Sequence, residues 1–277
     1  MSSEVKKIAA IHDICGYGRS SLTVVIPILS SMGFYVCPIP TALLSTSTAY
    51  PDLYVVDLTA HLQPIMDHWK KLKLNIETIY SGYLGSPEQC KIVSKFIDDF
   101  SESSNLIIVD PVLGDSGELY DTMDKEMITS MRNLIGKANL ITPNLTEACL
   151  LTDIKYKSKF TKSEIEDIVL KLSEMGPEKV IVTGIPYNNN EETLVAAYNK
   201  ENKIFYRSCK YIPAEYPGTG DTFTSVVCGS LMQGATFENA VDKATKFVFE
   251  GISLTYKYNS DQREGIFQEL ILKKLNS

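Results

Sequence analysis

The segment Pro217-Gly218-Thr219-Gly220-Asp221-Thr222-Phe223 carries the residues best suited to chemistry in this chain. Two glycines let the backbone turn sharply and approach a ligand without a Cβ in the way. Phe223, Val226, Val227 and Leu231 then recur at helical spacing, so the turn feeds a buried helix. N–H groups in the first turn of a helix have no intrahelical partner and favour anions. Such a cradle would stabilise the charge that develops on a phosphoryl group during transfer. Asp221, in the same turn, is placed to accept a proton from an attacking alcohol. The plainer reading is a tight turn with an aspartate that favours the helix dipole.

Two other segments set carboxylates at the ends of apolar runs. Asp110-Pro111-Val112 follows Leu106-Ile107-Ile108-Val109, and Thr142-Pro143-Asn144-Leu145-Thr146-Glu147 closes the next run. Carboxylates at adjacent strand ends suit Mg²⁺, which takes oxygen ligands and keeps several waters. The competing reading is local: Asn144 caps a helix and Glu147 completes its first turn. One glutamate can do both.

These pieces need a scaffold, and the chain supplies one in alternating apolar runs and amphipathic stretches. Strands are expected at 6–12, 34–43, 53–60, 76–82, 106–110, 138–142, 178–184, 193–199 and 203–208. Helices are expected at 19–32 (containing Pro27 and closed by Gly33), 64–74, from Ser86-Pro87-Glu88 onward, 123–135, from Asn144, and 162–175 behind a Thr161/Glu164 capping box. Three more are expected at 220–233, 237–255 and 261–275. This alternation predicts an α/β fold in three layers, with a mostly parallel sheet covered on both faces. No repeat or low-complexity linker divides residues 1–277, so a single domain is expected. Ligands of such sheets bind at the carboxyl ends of the strands, where the strand order switches.

Composition narrows the partners. The chain has 277 residues, a net charge of −7, and no basic footprint of a nucleic-acid binder. Its six cysteines form no CxxC pair and its three histidines have no metal spacing with them, which points to reduced thiols rather than a zinc site. The opening MSSEVKKIAAIH has no cleavage pattern, and no run reaches the roughly 18 apolar residues of a membrane span. The expectation is a cytoplasmic protein with no membrane partner.

Taken together, PGTGDTF, DPV and TPNLTE resemble the motifs of the ribokinase-like superfamily of small-molecule kinases. Ser81-Gly82-Tyr83-Leu84-Gly85-Ser86 looks like the motif of the pyridoxal kinases, and IAAIHDICGYGRSSL and LLSTSTAY align with that family without a gap. The resemblance covers essentially the whole chain. It implies ATP-dependent phosphorylation of the hydroxymethyl group of a B6 vitamer, with Asp221 as base and the backbone of Gly218, Thr219 and Gly220 as anion hole. It also implies Mg²⁺ held through water by Asp110 and Glu147, with Thr142, Asn144 and Thr183 near the ATP phosphates and a K⁺-type cation nearby. Asp13, Thr48 and Tyr83 would contact the pyridine substrate. A small β flap from the 36–60 region and a homodimer complete the family pattern.

Departures from that pattern are instructive. His12-Asp13-Ile14 stands where many pyridoxal kinases carry Gln-Ser-His, adding negative charge to the substrate pocket. Thr183 stands where some relatives place a lysine. The loop Gly114–Tyr120 has no cysteine, and its glycines suit a lid over ATP. A hydroxymethylpyrimidine (phosphate) kinase is the nearest alternative, since it shares the DPV and TPN-type motifs. A non-catalytic ligand-binding protein on the same fold is a remote one. No GxxxxGK[ST] occurs, and Gly16-Tyr17-Gly18 lacks the third glycine of a dinucleotide fingerprint.

Overall fold

A computed structural model of the chain describes residues 5–100 and 106–276, with Asn202 and Asn276 described for the backbone alone. Nine strands form one sheet in the order β11-β10-β9-β8-β5-β4-β1-β2-β3. They are β1 (Lys7–Cys15), β2 (Tyr35–Leu44), β3 (Val55–Asp57), β4 (Thr78–Ser81), β5 (Leu106–Val109), β8 (Leu140–Ile141), β9 (Lys179–Tyr187), β10 (Glu192–Asn199) and β11 (Asn202–Lys210). From β2 to β9 all neighbours run parallel; β3, β10 and β11 are antiparallel additions at the two edges. Two short strands, β6 (Gly114–Asp115) and β7 (Glu118–Leu119), make a separate hairpin.

Side chains alternate between the faces of each central strand, so a strand covered on both sides must be apolar throughout. Ala9, Ile11, Ile107 and Val109 face one core, while Ile8, Ala10 and Ile108 face the other. The first core is closed by α2 (Thr59–Lys71), α3 (Pro87–Phe100), α4 (Lys125–Ile135), α5 (Leu145–Thr152) and α6 (Lys162–Glu174). The second is closed by α1 (Leu22–Ser31), α7 (Thr219–Met232) and α8 (Phe237–Lys257). The three-layer expectation holds. Strand order reverses between β1 and β4, which places the expected ligand crevice beside Asp13 and Gly82.

Local expectations fare well where capping chemistry is strong. Thr161 and Glu164 form the reciprocal box that starts α6, and Asn144 and Glu147 form the one that starts α5. α1 runs through Pro27, and Gly33 follows at φ +93°. Phe205 packs on Phe237 across one face of β11, while the Tyr206 hydroxyl donates to Glu166 across the other, so these aromatics line the sheet. Trp69 packs edge-on against Phe96.

Two expectations need correction. The extended piece at 53–60 is strand only over Val55–Asp57, and α2 begins at Thr59 rather than 64, because Asp57 Oδ1 accepts the Thr59 N–H at 2.6 Å and starts the helix early. The segment 261–275 is not one helix. It consists of short 3₁₀ turns and the single-turn α9 (Gln268–Ile271), interrupted at Gly265, where φ is +79°. A Cβ on Gly265 would lie 2.7 Å from the Arg19 carbonyl oxygen, so this segment clasps the β1–α1 loop.

Candidate active site

Four carboxylates gather at the carboxyl ends of the parallel strands, each delivered by a different local device. Asp13 sits where the pairing of β1 with β2 shifts register between His12 and Ile14. Such irregularities re-aim side chains, and His12 and Asp13 are both buried although consecutive in a strand. Asp110 extends β5 by one residue, its N–H donating to the Ser81 carbonyl at 2.8 Å. The Thr142 and Thr224 side chains act to hold its carboxylate down, and the Thr224 hydroxyl donates to Thr142 Oγ1 at 2.9 Å.

Glu147 is fixed by its capping box: Oε2 accepts the Asn144 N–H at 2.7 Å and Oε1 the Leu113 N–H at 3.2 Å. Asp221 lies in the first turn of α7, behind Gly218 at φ +78°. A side chain on Gly218 would collide with the Arg19 carbonyl, 2.2 Å from the ideal Cβ, and one on Gly220 would reach within 3.8 Å of Asp110 Oδ2. Gly218 therefore permits both the turn and the close approach to the Arg19 carbonyl, while Gly220 leaves ordinary contact distance to Asp110. The helix ladder begins with the Thr222 N–H donating to the Gly218 carbonyl. The N–H groups of Thr219, Gly220 and Asp221 precede that ladder and are open to an anion.

Asp221 is aimed by a distant part of the chain. Its Oδ2 accepts the Ser21 N–H at 2.8 Å, and its Oδ1 lies 3.7 Å from Nδ1 of His12. Ser21 stands at φ 54°, ψ −133°, a backbone conformation rare for non-glycine residues, and its side chain acts to hold the Asp13 carboxyl down.

All four carboxyls are pushed up, with burial the first cause in each. Asp13 rises to about 7 and Asp110 to about 8; Asp221 is raised and Glu147 lies well above the usual range. Mutual repulsion adds to this at Asp13 and Asp110, which feel Asp221, and at Glu147, which feels Asp110. His12, fully buried, is held neutral by desolvation with a pKa of about 3. Among the described residues no lysine or arginine compensates these acids. Each Glu147 oxygen accepts one hydrogen bond and keeps a lone pair free, so the Asp110/Glu147 pair fits a divalent cation. No cage of three or more His, Cys, Asp or Glu side chains exists among the described residues.

Most of the residues singled out from sequence converge here. Asp13, Asp110, Thr142, Asn144, Glu147 and Gly218–Asp221 lie together at the carboxyl ends of the strands. Thr183 bridges Asn144, its N–H donating to the Pro143 carbonyl at 3.0 Å. Tyr83 is half-buried; its phenol is raised by burial, and Asp13 is among the charges acting on it. Thr48 is different: it stands exposed in the turn of the flap between β2 and β3, apart from the buried groups. The 114–120 loop is a tight hairpin with Ser116 at φ 52° and Gly117 at φ 88°. It is tied to α5 by the Gly117 N–H to Thr146 Oγ1 at 2.9 Å and by Asn144 Nδ2 to the Gly114 carbonyl at 2.9 Å.

Ser21 and Thr224 are site residues that sequence reasoning missed. Thr224 was within reach, three residues after Asp221 and hence on the same helix face. Ser21 had no local signal.

Comparison with known proteins gives the chain a family. A family model described as phosphomethylpyrimidine kinase matches residues 29–266. A Bacteroides thetaiotaomicron protein, provisionally described as a phosphomethylpyrimidine kinase and solved in a crystal form with pyridoxal, is 52% identical with a TM-score of 0.96. That match covers 99% of this chain and 96% of that one. Pyridoxal kinase from Lactobacillus plantarum is 30% identical with a TM-score of 0.90, covering 98% and 97%. An Arabidopsis thaliana pyridoxal kinase is 30% identical over 83% of this chain and 75% of its own length. The chain belongs to the phosphomethylpyrimidine kinase family, and its ribokinase-like fold is the one found in pyridoxal kinases.

Proposed function

We propose that this kinase transfers the γ-phosphoryl group of ATP to the 5′-hydroxymethyl group of a B6 vitamer (pyridoxal, pyridoxine or pyridoxamine) in the salvage of pyridoxal 5′-phosphate. The observation that carries this reading is Asp221: a buried carboxylate of raised pKa, oriented by the Ser21 N–H, at the mouth of an open helix N-terminus. A base whose pKa is lifted toward working pH is stronger while still partly ionised. Asp221 takes the hydroxyl proton, the alcohol oxygen bonds to the γ-phosphorus, and the bond from that phosphorus to the β–γ bridging oxygen breaks, leaving ADP. Negative charge spread over the transferred oxygens faces the N–H groups of Thr219 and Gly220.

Asp110 and Glu147 would hold Mg²⁺, which when bound neutralises phosphate charge. Thr142, Asn144 and Thr183 would lie along the phosphates, with a K⁺-type ion near them, and Asp13, Tyr83 and Thr48 would meet the pyridine ring. Thr48 requires the flap to fold inward. The flap also supports a homodimer: Tyr54, Val55 and Val56 are exposed on and beside the edge strand β3, with Leu43 opposite them. Unpaired apolar edges invite a partner. Residues 1–277 would act as one kinase unit in the cytoplasm; among the described residues no helix is long and apolar enough to cross a membrane.

The second reading, hydroxymethylpyrimidine phosphorylation, is favoured by the description of the matched family. ATP consumption by the purified protein across pyridoxal, pyridoxine, pyridoxamine and hydroxymethylpyrimidine, with Mg²⁺ and with or without K⁺, separates the two. Turnover should be highest on a B6 vitamer. Turnover confined to the pyrimidine would transfer the assignment to thiamine synthesis.

A further inference from the structure

His12 has no place in the chemistry described so far, although it touches the base. Its side chain is wholly buried, and neither Nδ1 nor Nε2 has a hydrogen-bond partner among the described residues. Leaving buried polar atoms unpaired costs stability, so their retention asks for a reason. The ring is also firmly gripped. Tyr80 meets it edge-on with centroids 4.4 Å apart, and on the Gly82 side a Cβ would lie 2.1 Å from Nδ1. Glycine at position 82 thus makes the space the imidazole fills.

The gripped ring points at Asp221. Nδ1 is 3.7 Å from Oδ1, while the Ser21 N–H already holds Oδ2 at 2.8 Å. One oxygen of the base is fixed, and a donor waits about 0.5 Å beyond hydrogen-bond distance of the other. The charged groups facing this pair are Asp13, on the same strand as His12, and Asp110, beside Gly220. Both repel Asp221, so an uncharged donor is what can steady it without a counter-ion.

We propose that His12 is a positioning residue for Asp221: in the complex with ATP and the alcohol, its Nδ1–H donates to Oδ1 and, with the Ser21 N–H on Oδ2, fixes the carboxylate plane that receives the alcohol's proton. The imidazole keeps its own proton throughout and relays nothing. The proton taken from the alcohol goes to a free lone pair of Asp221. This inference rests on Asp221 being the base.

Three replacements separate positioning from packing. In His12→Asn the amide nitrogen occupies the place of Nδ1; in His12→Gln it reaches toward the place of Nε2; His12→Leu fills the volume with no polar atom. Steady-state kinetics and thermal melts of each, beside Asp221→Ala, give the test. His12→Leu should raise the melting temperature by a few degrees, since unpaired polar atoms are removed, while kcat falls about tenfold at unchanged KM for ATP. His12→Asn should restore most of the rate, and His12→Gln should not. Wild-type kcat in His12→Leu would overturn the proposal, as would equal losses in Asn and Leu accompanied by lower melting temperatures. Should His12→Leu fail to fold, equal rates for Asn and Gln would overturn it. If Asp221→Ala keeps a near-normal rate, the assignment of the base fails; if Asp221→Ala is impaired and His12→Leu is not, only the role of His12 fails.

Discussion

α5 and α6 open with the same four-residue device yet sit in opposite electrostatic states. Thr161 and Glu164 cap α6 on the surface, where Lys157 pairs with the carboxylate and draws it down to about 2. Asn144 and Glu147 cap α5 in the interior, where burial first and Asp110 second push the carboxyl well above its usual range. The local motif is equal in both, so the motif alone carries no function. What distinguishes Glu147 is uncompensated charge at a strand end, the condition under which a perturbed acid signals a site rather than a fold element.

The largest expected contrast comes from neutralising each glutamate. Glutamine also closes a capping box, so Glu147→Gln should keep α5 intact yet lower turnover by about 100-fold, the loss of a carboxylate that would hold the cation neutralising the phosphates. Glu164→Gln should leave turnover within about twofold. Equal effects on kcat would erase the distinction.

A smaller contrast concerns two glycines at positive φ. Gly218→Ala must relieve a 2.2 Å contact with the Arg19 carbonyl as well as φ +78°, so turnover should fall about tenfold or more and the melting temperature should drop. Gly234 has φ +89° but open space around it; its alanine variant should cost about 1 kcal/mol and leave kinetics unchanged. Normal ATP kinetics in Gly218→Ala would remove the anion cradle.

The last contrast is a pH dependence of stability. Asp13 rises from 3.8 to about 7 on folding, so the native state holds its proton more tightly than the unfolded chain. That contribution is complete below pH 3.8 and is lost as pH climbs through about 7. Asp13→Asn cannot lose it. The melting temperature of the variant relative to wild type should therefore increase between pH 5 and pH 8, and a constant difference would show that Asp13 titrates normally.

Much of the site was legible because its parts are short and sequential. The glycine turn, the aspartate behind it, and the carboxylates closing apolar strands each carry their own local physics. The sheet was legible for the same reason, since strands covered on both faces must be apolar throughout. The unreadable parts depend on closure between distant segments. Ser21 meets Asp221 only because α1 and α7 pack together, at a separation of 200 residues. The 261–275 region has apolar spacing that suits a helix, but Gly265 must bend around Arg19, a contact no local pattern reveals. His12 was ambiguous for a related reason: a lone buried histidine in a strand means nothing until its neighbours across the sheet are known.

The Arg19 joint bears on how the enzyme comes into being. The Arg19 N–H donates to the Glu264 carbonyl, its guanidinium pairs with Glu269, and its own carbonyl is the surface on which both Gly218 and Gly265 seat. A chain cut short of residue 264 should therefore keep the four carboxylates of the site yet lack the joint that sets the glycine turn against the β1–α1 loop. The shape of the site thus depends on two segments that lie 245 residues apart.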